Sequence, residues 1–216
     1  MNFPLTRIVY TISEDRIREV FLGFDPDVLV FTSTAGSSRF LQAVEPRELK
    51  KCRIFCIGDM TAVPFRNAGL DCTVPSPKTS LGLARAIQEN CRSGSRIMVA
   101  RSSSGSPVLT DELSGRSYEL AEISLYDLEE NIATELGNEL KTGNYFGILI
   151  TSSMEAVIFG KMLRSMNLNV EKIGLKVFAI GDPTASALRN LGIRTDTPAG
   201  DSDIESLVKR ISDMYC

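Results

Sequence analysis

Neither histidine nor tryptophan occurs anywhere in the 216 residues. The missing imidazole removes the commonest general base, the usual metal ligand and every Ser–His or Cys–His nucleophile pair. Cysteine is sparse as well: positions 52, 56, 72, 91 and 216 form no CxxC pair, so neither a zinc or iron centre nor a dithiol redox site has an obvious ligand set. Cys52 and Cys56 lie in or beside an expected strand, where a spacing of four puts both side chains on one face. They read as buried apolar thiols. No apolar run approaches the roughly 18 residues of a membrane span and no signal peptide is visible, so the expected compartment is the cytoplasm. With a net charge of -3 the chain lacks the basic surplus of a general nucleic-acid binder. An anionic ligand stays open, because backbone N–H groups and a few local cations can hold one.

What the sequence does have is a repeat. FCIGDMTAVPFRNAGLDCTVP (55–75) aligns without a gap on FAIGDPTASALRNLGIRTDTP (178–198), and VLVFTSTAGS (28–37) precedes the first as GILITSSMEA (147–156) precedes the second. Two related α/β units are therefore expected, in a chain of ordinary composition, 43% hydrophobic and 24% charged. Five short apolar runs, Val28–Phe31, Ile54–Ile57, Ile97–Ala100, Ile148–Ile150 and Val177–Ile180, read as buried parallel strands. Most lead into small polar residues and a helical pattern, the βα unit of a doubly wound parallel sheet, which binds ligands beyond the carboxyl ends of its strands.

Helix boundaries are marked by residue type. Asp182 with Pro183 opens a helix that Gly192 ends; Asp59 and Gly69 bracket its counterpart, where Pro64 strains the pattern unless Thr61 is the cap. Ser106–Pro107 starts a helix with Leu109 and Leu113 inward, and Ser202 with Glu205 makes a capping box ahead of an amphipathic C-terminal helix. Leu5–Ile12 and Leu120–Leu128 fit neither repeat and read as two strands that pair as a connector. The resulting division is a linker strand over 1–13, a first α/β domain over 14–117, a second linker strand over 118–130, and a second α/β domain over 131–216.

The strand exits supply Thr32, Ser33, Thr61, Arg101, Ser102, Thr151, Ser152, Ser153 and Thr184. Any one hydroxyl there can serve simply as a helix cap. Several helix N-termini facing one crevice would instead offer N–H groups, positive dipole ends and hydroxyls to a ligand with many carboxylates or phosphates. Arg101 is the cation nearest such a crevice, with a solvated surface role as its alternative. Tyr126 is either a packing residue or, in a chain without histidine, a proton donor. IGD followed by Thr-Ala is neither a GxGxxG nor a Walker pattern, so nucleotide binding has no support.

The VFTS and ILITSS segments, each followed by an IGD-x-T-A helix, with the Tyr-bearing ISLYDL segment between the halves, resemble the uroporphyrinogen-III synthase family. The resemblance runs from about residue 5 onward and rests on the order and spacing of all five segments. It implies two flavodoxin-like α/β domains joined by a two-stranded linker, with the active site in the cleft. The implied enzyme is a monomer that uses no metal or organic cofactor. Its substrate is hydroxymethylbilane, a linear tetrapyrrole with eight carboxylates; water is lost and the last ring inverted through a spiro intermediate to give uroporphyrinogen III. The family's linker tyrosine matches Tyr126, its cleft threonines match Thr61 and Thr184, and its Ser/Thr turns match Thr32, Ser33, Ser152 and Ser153. Two departures stand out. Family members usually begin with a βαβ segment of the second domain, whereas here the linker-like strand starts near Leu5, which points either to a reduced second domain or to a shortened N-terminus. ARSSSGSP keeps Arg101 without the second arginine often found downstream. The alternative reading is a non-catalytic tetrapyrrole or polyanion sensor with the same architecture.

Overall fold

The computed structural model describes residues 1–131, 134–143, 145–196 and 204–215. In chain order its first elements are β1 (Thr6–Tyr10), α1 (Glu14–Phe24), β2 (Val28–Phe31), α2 (Thr34–Ala43), α3 (Pro46–Leu49), β3 (Arg53–Cys56), α4 (Asp59–Asn67) and α5 (Ser80–Asn90). Next come β4 (Arg96–Ser102), α6 (Val108–Ser114), β5 (Glu119–Glu130), α7 (Thr134–Thr142) and β6 (Gly147–Ile150). The last are α8 (Ser153–Ser165), β7 (Lys176–Ala179), α9 (Asp182–Asn190) and α10 (Ile204–Tyr215). The chain forms two compact units, Ile8–Leu128 and Met1–Arg7 with Glu129–Cys216.

In Ile8–Leu128 the five-stranded sheet runs β1-β5-β4-β2-β3, and the β5/β4, β4/β2 and β2/β3 pairs are all parallel. The continuous apolar runs follow from burial on both faces. Leu29, Phe31, Ile54, Cys56, Met98 and Ala100 share one core with Ile17 and Phe21 of α1, Phe40 of α2 and Phe65 of α4. The alternate residues Val28, Val30, Phe55, Ile97 and Val99 face Leu83 and Ile87 of α5 and Leu109 and Leu113 of α6. Cys52 packs half-buried against the first core, as expected of an apolar thiol, and burial pushes its thiol pKa up to about 11. So high a value leaves little nucleophilic thiolate near neutrality.

The other unit holds a parallel two-stranded sheet, β6-β7. Its core gathers Leu136 and Leu140 of α7, Phe159 and Met162 of α8, Val177 and Ala179 of β7, Leu188 of α9 and Leu5 of the N-terminal segment. Among the described residues no helix is long and apolar enough to cross a membrane. Ser202 and Cys216 lie outside the described residues, so the capping box ahead of α10 is not among the structural findings.

Both strands expected as a connector belong to the five-stranded sheet. β5 pairs with β4 from Arg96↔Glu119 to Ser102↔Tyr126, so Glu119–Tyr126 is a full sheet member. Thr11 N–H donates to the Leu125 carbonyl (3.3 Å) in one unit and Asn131 N–H to the Leu5 carbonyl (2.8 Å) in the other. The two units divide between Arg7 and Ile8 within β1 and between Leu128 and Glu129 within β5.

Both copies of the IGD helix end alike. Gly69 N–H donates to the Arg66 carbonyl and Leu70 N–H to the Phe65 carbonyl; Gly192 and Ile193 repeat this onto Arg189 and Leu188. These are Schellman closures, which need a left-handed residue. Gly69 and Gly192 supply it at φ 73° and 76°. At the other end the caps are Gly58 and Gly181, one residue before the expected Asp59 and Asp182, and neither helix start has a side-chain cap. Pro64 lies inside α4.

Arg18 of α1 grips Glu48 through both guanidinium ends, at 2.5 and 2.8 Å. That hydrogen-bonded guanidinium holds the Glu48 carboxyl below its ordinary value of 4.5. A depressed folded value stabilises the fold above the unfolded value and is lost as pH falls through the folded one. Glu48→Gln is accordingly expected to lower the urea midpoint at pH 7 and to leave it near wild type under strong acid. An equal deficit at both pH values would show that the ion pair contributes nothing pH-dependent.

Candidate functional site

In Ile8–Leu128 the site starts from a register irregularity. Arg101 pairs with Ser124 but Ser102 pairs with Tyr126, so β5 carries one extra residue. Strict alternation would send Leu125 and Tyr126 to opposite faces; the bulge lets both enter the same core. Tyr126, only 5% exposed, then donates its hydroxyl to Ser33 Oγ at 2.7 Å. Ser33 caps α2, accepting Gly36 N–H at 3.0 Å. A Cβ at Gly36 would stand 3.1 Å from Ser33 Oγ, a tight contact that would press on the cap. Thr32 is half-buried beside this pair.

Thr61 sits at the third position of α4, 5% exposed, and its hydroxyl bonds none of the described residues. It adjoins a helix start that lacks a side-chain cap, where backbone N–H groups are available to an anion. Ser37, which the sequence reading did not single out, is fully buried between the two helices, with its Oγ 3.1 Å from the Ser33 carbonyl and 2.8 Å from the Thr61 carbonyl. Tyr126, Ser33 and Thr61 thus belong to one hydrogen-bonded assembly.

Arg101 is placed differently. It is 8% exposed, with Nε and Nη2 on the Glu122 carboxylate at 2.8 and 2.6 Å and Nη1 donating to the Ser106 carbonyl. Its guanidinium braces the loop after β4, and Ser102 lies half-buried beside the bulge. Among the described residues neither side chain bonds Tyr126 or Ser33; the link to Tyr126 is the backbone ladder.

The second unit repeats part of this plan. Ser152 caps α8, accepting Glu155 N–H at 3.1 Å, with Ser153 following as the first helical residue. Thr184, 3% exposed at the third position of α9, bonds none of the described residues through its hydroxyl, and the α9 start is also uncapped. Thr151, however, is engaged: Glu155 Oε2 accepts its N–H at 3.0 Å and its hydroxyl at 2.6 Å. Glu155 aligns with Gly36 in the repeat, so one half carries its own carboxylate where the other has no side chain. Thr151 and Glu155 line a cavity of about 310 Å³ together with Leu5, Leu136 and Ile148.

Chemically, the first unit offers a buried phenol coupled to a serine, and both units offer uncapped helix starts with a free threonine hydroxyl. That combination can protonate a leaving group and hold carboxylates. Among the described residues no group of three or more His, Cys, Asp or Glu side chains could hold a metal ion.

Residues 1–209 match the family model described as uroporphyrinogen-III synthase HemD. The fold is similar to uroporphyrinogen-III synthetase from Helicobacter pylori (TM-score 0.67, 16% identity), covering 98% of this chain and 91% of that one. It is also similar to a variant of uroporphyrinogen III synthase from the extremely thermophilic bacterium Thermus thermophilus (TM-score 0.61, 17% identity), covering 98% of this chain and 87% of that one.

Proposed function

The chain belongs to the uroporphyrinogen-III synthase family, and from that premise we propose how its residues divide the reaction. It is a cofactor-independent enzyme of tetrapyrrole biosynthesis that cyclises hydroxymethylbilane to uroporphyrinogen III, losing water and inverting the last ring. Our reading is that the two units act as flavodoxin-like domains on a two-stranded β1/β5 linker and share one substrate across an interdomain cleft. We take the working form to be a cytoplasmic monomer.

Tyr126 acts as the proton donor to the departing hydroxyl. The observation that carries this role is its 2.7 Å hydrogen bond to Ser33. As Tyr126 gives its proton to the leaving water, Ser33, whose oxygen already accepts Gly36 N–H, turns its own proton onto the phenolate. The electron-rich pyrrole drives ionisation, so the acid assists a bond already inclined to break. Carboxylates of the substrate lie at the uncapped starts of α4 and α9, with Thr61 and Thr184 donating their hydroxyls. Holding the chain in the geometry of the spiro intermediate, against direct closure to the type I isomer, is the larger part of the work. Thr32, Ser102 and Ser153 line the approach, and Arg101 contributes by bracing its loop.

Freshly prepared hydroxymethylbilane given to the purified protein tests the assignment. Type III product is expected; the spontaneous type I isomer alone would leave only a binding role.

Thr151 can serve a substrate carboxylate only when Glu155 yields its place. Glu155→Gln removes that competing charge, and since exposed charge pairs are worth up to about 1 kcal/mol, KM is expected to fall roughly 2- to 5-fold with kcat little changed. A KM that stays the same or rises would remove Thr151 from the substrate contacts.

A further inference from the structure

We infer that Ser37 is a positioning residue for the synthase reaction, its buried hydroxyl joining the start of α2 to the start of α4 so that Tyr126–Ser33 and Thr61 keep one geometry. A serine inside a helix commonly bonds back to the carbonyl four residues earlier, and Ser37 does so weakly, 3.1 Å from the Ser33 carbonyl. The shorter contact, 2.8 Å, reaches across to the Thr61 carbonyl on the neighbouring helix. A hydroxyl has one proton to give, and the nearer acceptor takes it. The residue is 0% exposed, so water does not compete for either contact.

The bond lands on the main chain of the residue whose side-chain hydroxyl has no partner among the described residues. Ser37 therefore sets where Thr61 stands without touching substrate itself. At its other end the Ser37 backbone N–H donates to the carbonyl of Ser33 at 3.1 Å, the residue that receives the Tyr126 hydroxyl. In the repeat, Ala156 occupies the corresponding place ahead of α9, so the hydroxyl tie belongs to the half that carries Tyr126. Alanine at the equivalent, fully buried site of α8 also shows that such a helix pair packs without the hydroxyl.

This inference rests on the roles proposed for Tyr126 and Thr61, and the test separates the two. Ser37→Ala is expected to lower kcat roughly 10-fold, because the carboxylate at Thr61 has to be held in the geometry of the spiro intermediate more than in the ground state, while KM shifts less than about 2-fold. Circular dichroism and the thermal midpoint report whether the variant is folded. In a Thr61→Val background the same change is expected to cost less than about 2-fold in kcat, since the residue it acts through is already disabled. An unchanged kcat in Ser37→Ala overturns the inference, as does a loss of equal size in the Thr61→Val background. Wild-type protein that yields only type I product overturns it together with the proposed function; active wild type with a fully active Ser37→Ala overturns the positioning role alone.

Discussion

Tyr126→Phe lowers kcat for type III product by roughly 10²-fold, at the low end of what a positioned general acid contributes, because the pyrrole itself supplies much of the driving force. The ring remains in the core with Leu125 and Ile123, and Ser33 still caps α2 through Gly36 N–H at 3.0 Å. Losing one hydrogen bond costs about 0.5–1.5 kcal/mol of stability. The phenol acts on the leaving hydroxyl and not on the carboxylates, so KM should hardly move. Single-turnover measurements with enzyme in excess separate the enzymatic type III product from spontaneous closure. Ser38→Ala, one residue beyond the buried serine and half-exposed on α2, serves as the control and is expected to run at nearly the normal rate. Equal, near-normal rates in both variants would remove the proton-donor role.

The largest stability effect should come from Phe31, whose truncation to Ala is expected to cost roughly 3–5 kcal/mol. Its ring is fully buried, with centroids 5.2 Å from Phe40 and 4.6 Å from Phe65. It therefore joins β2 to both α2 and α4, and each aromatic pair is worth about 0.5–1.5 kcal/mol beyond area burial. Against a typical domain stability of about 5–15 kcal/mol the loss is a large fraction. Phe31 also immediately precedes Thr32 and Ser33, so a collapsed cavity would shift the strand exit and lower activity. Urea unfolding followed by circular dichroism gives the magnitude, with Leu22→Ala, on the exposed side of α1 at 51% exposure, as a surface comparison. A Phe31→Ala loss below about 1 kcal/mol would mean that the two helices do not depend on this ring for their packing.

Much of the architecture could be read from residue type because its causes are local. Val28–Phe31 and Ile97–Ala100 are apolar on both faces, which only a sheet covered on both sides explains, and they are central strands with a core on each face. Gly69 and Gly192 were legible as helix ends because a left-handed turn excludes most side chains. The helix starts were less so: Asp59 and Asp182 suit a cap, yet glycine takes that place in both copies and the aspartates form the first turn. Both assignments satisfy the same preferences, and only backbone geometry separates them.

The site divides in the same way. The repeat and the missing imidazole by themselves determined that two α/β units with hydroxyl-bearing strand exits must work without histidine, since composition and order suffice for that. Three features depended on the folded chain. The bulge that turns Tyr126 inward is a matter of register between β4 and β5, and register depends on a partner strand distant in sequence. Ser37 looks like any helix serine until α4 is packed against it. Glu155 looks like a capping residue until Thr151 is seen to give it both a backbone and a side-chain proton. Strand runs and helix ends express short-range sterics and burial, which each segment carries with it; hydrogen bonds across elements exist only once long-range packing has brought their two ends together.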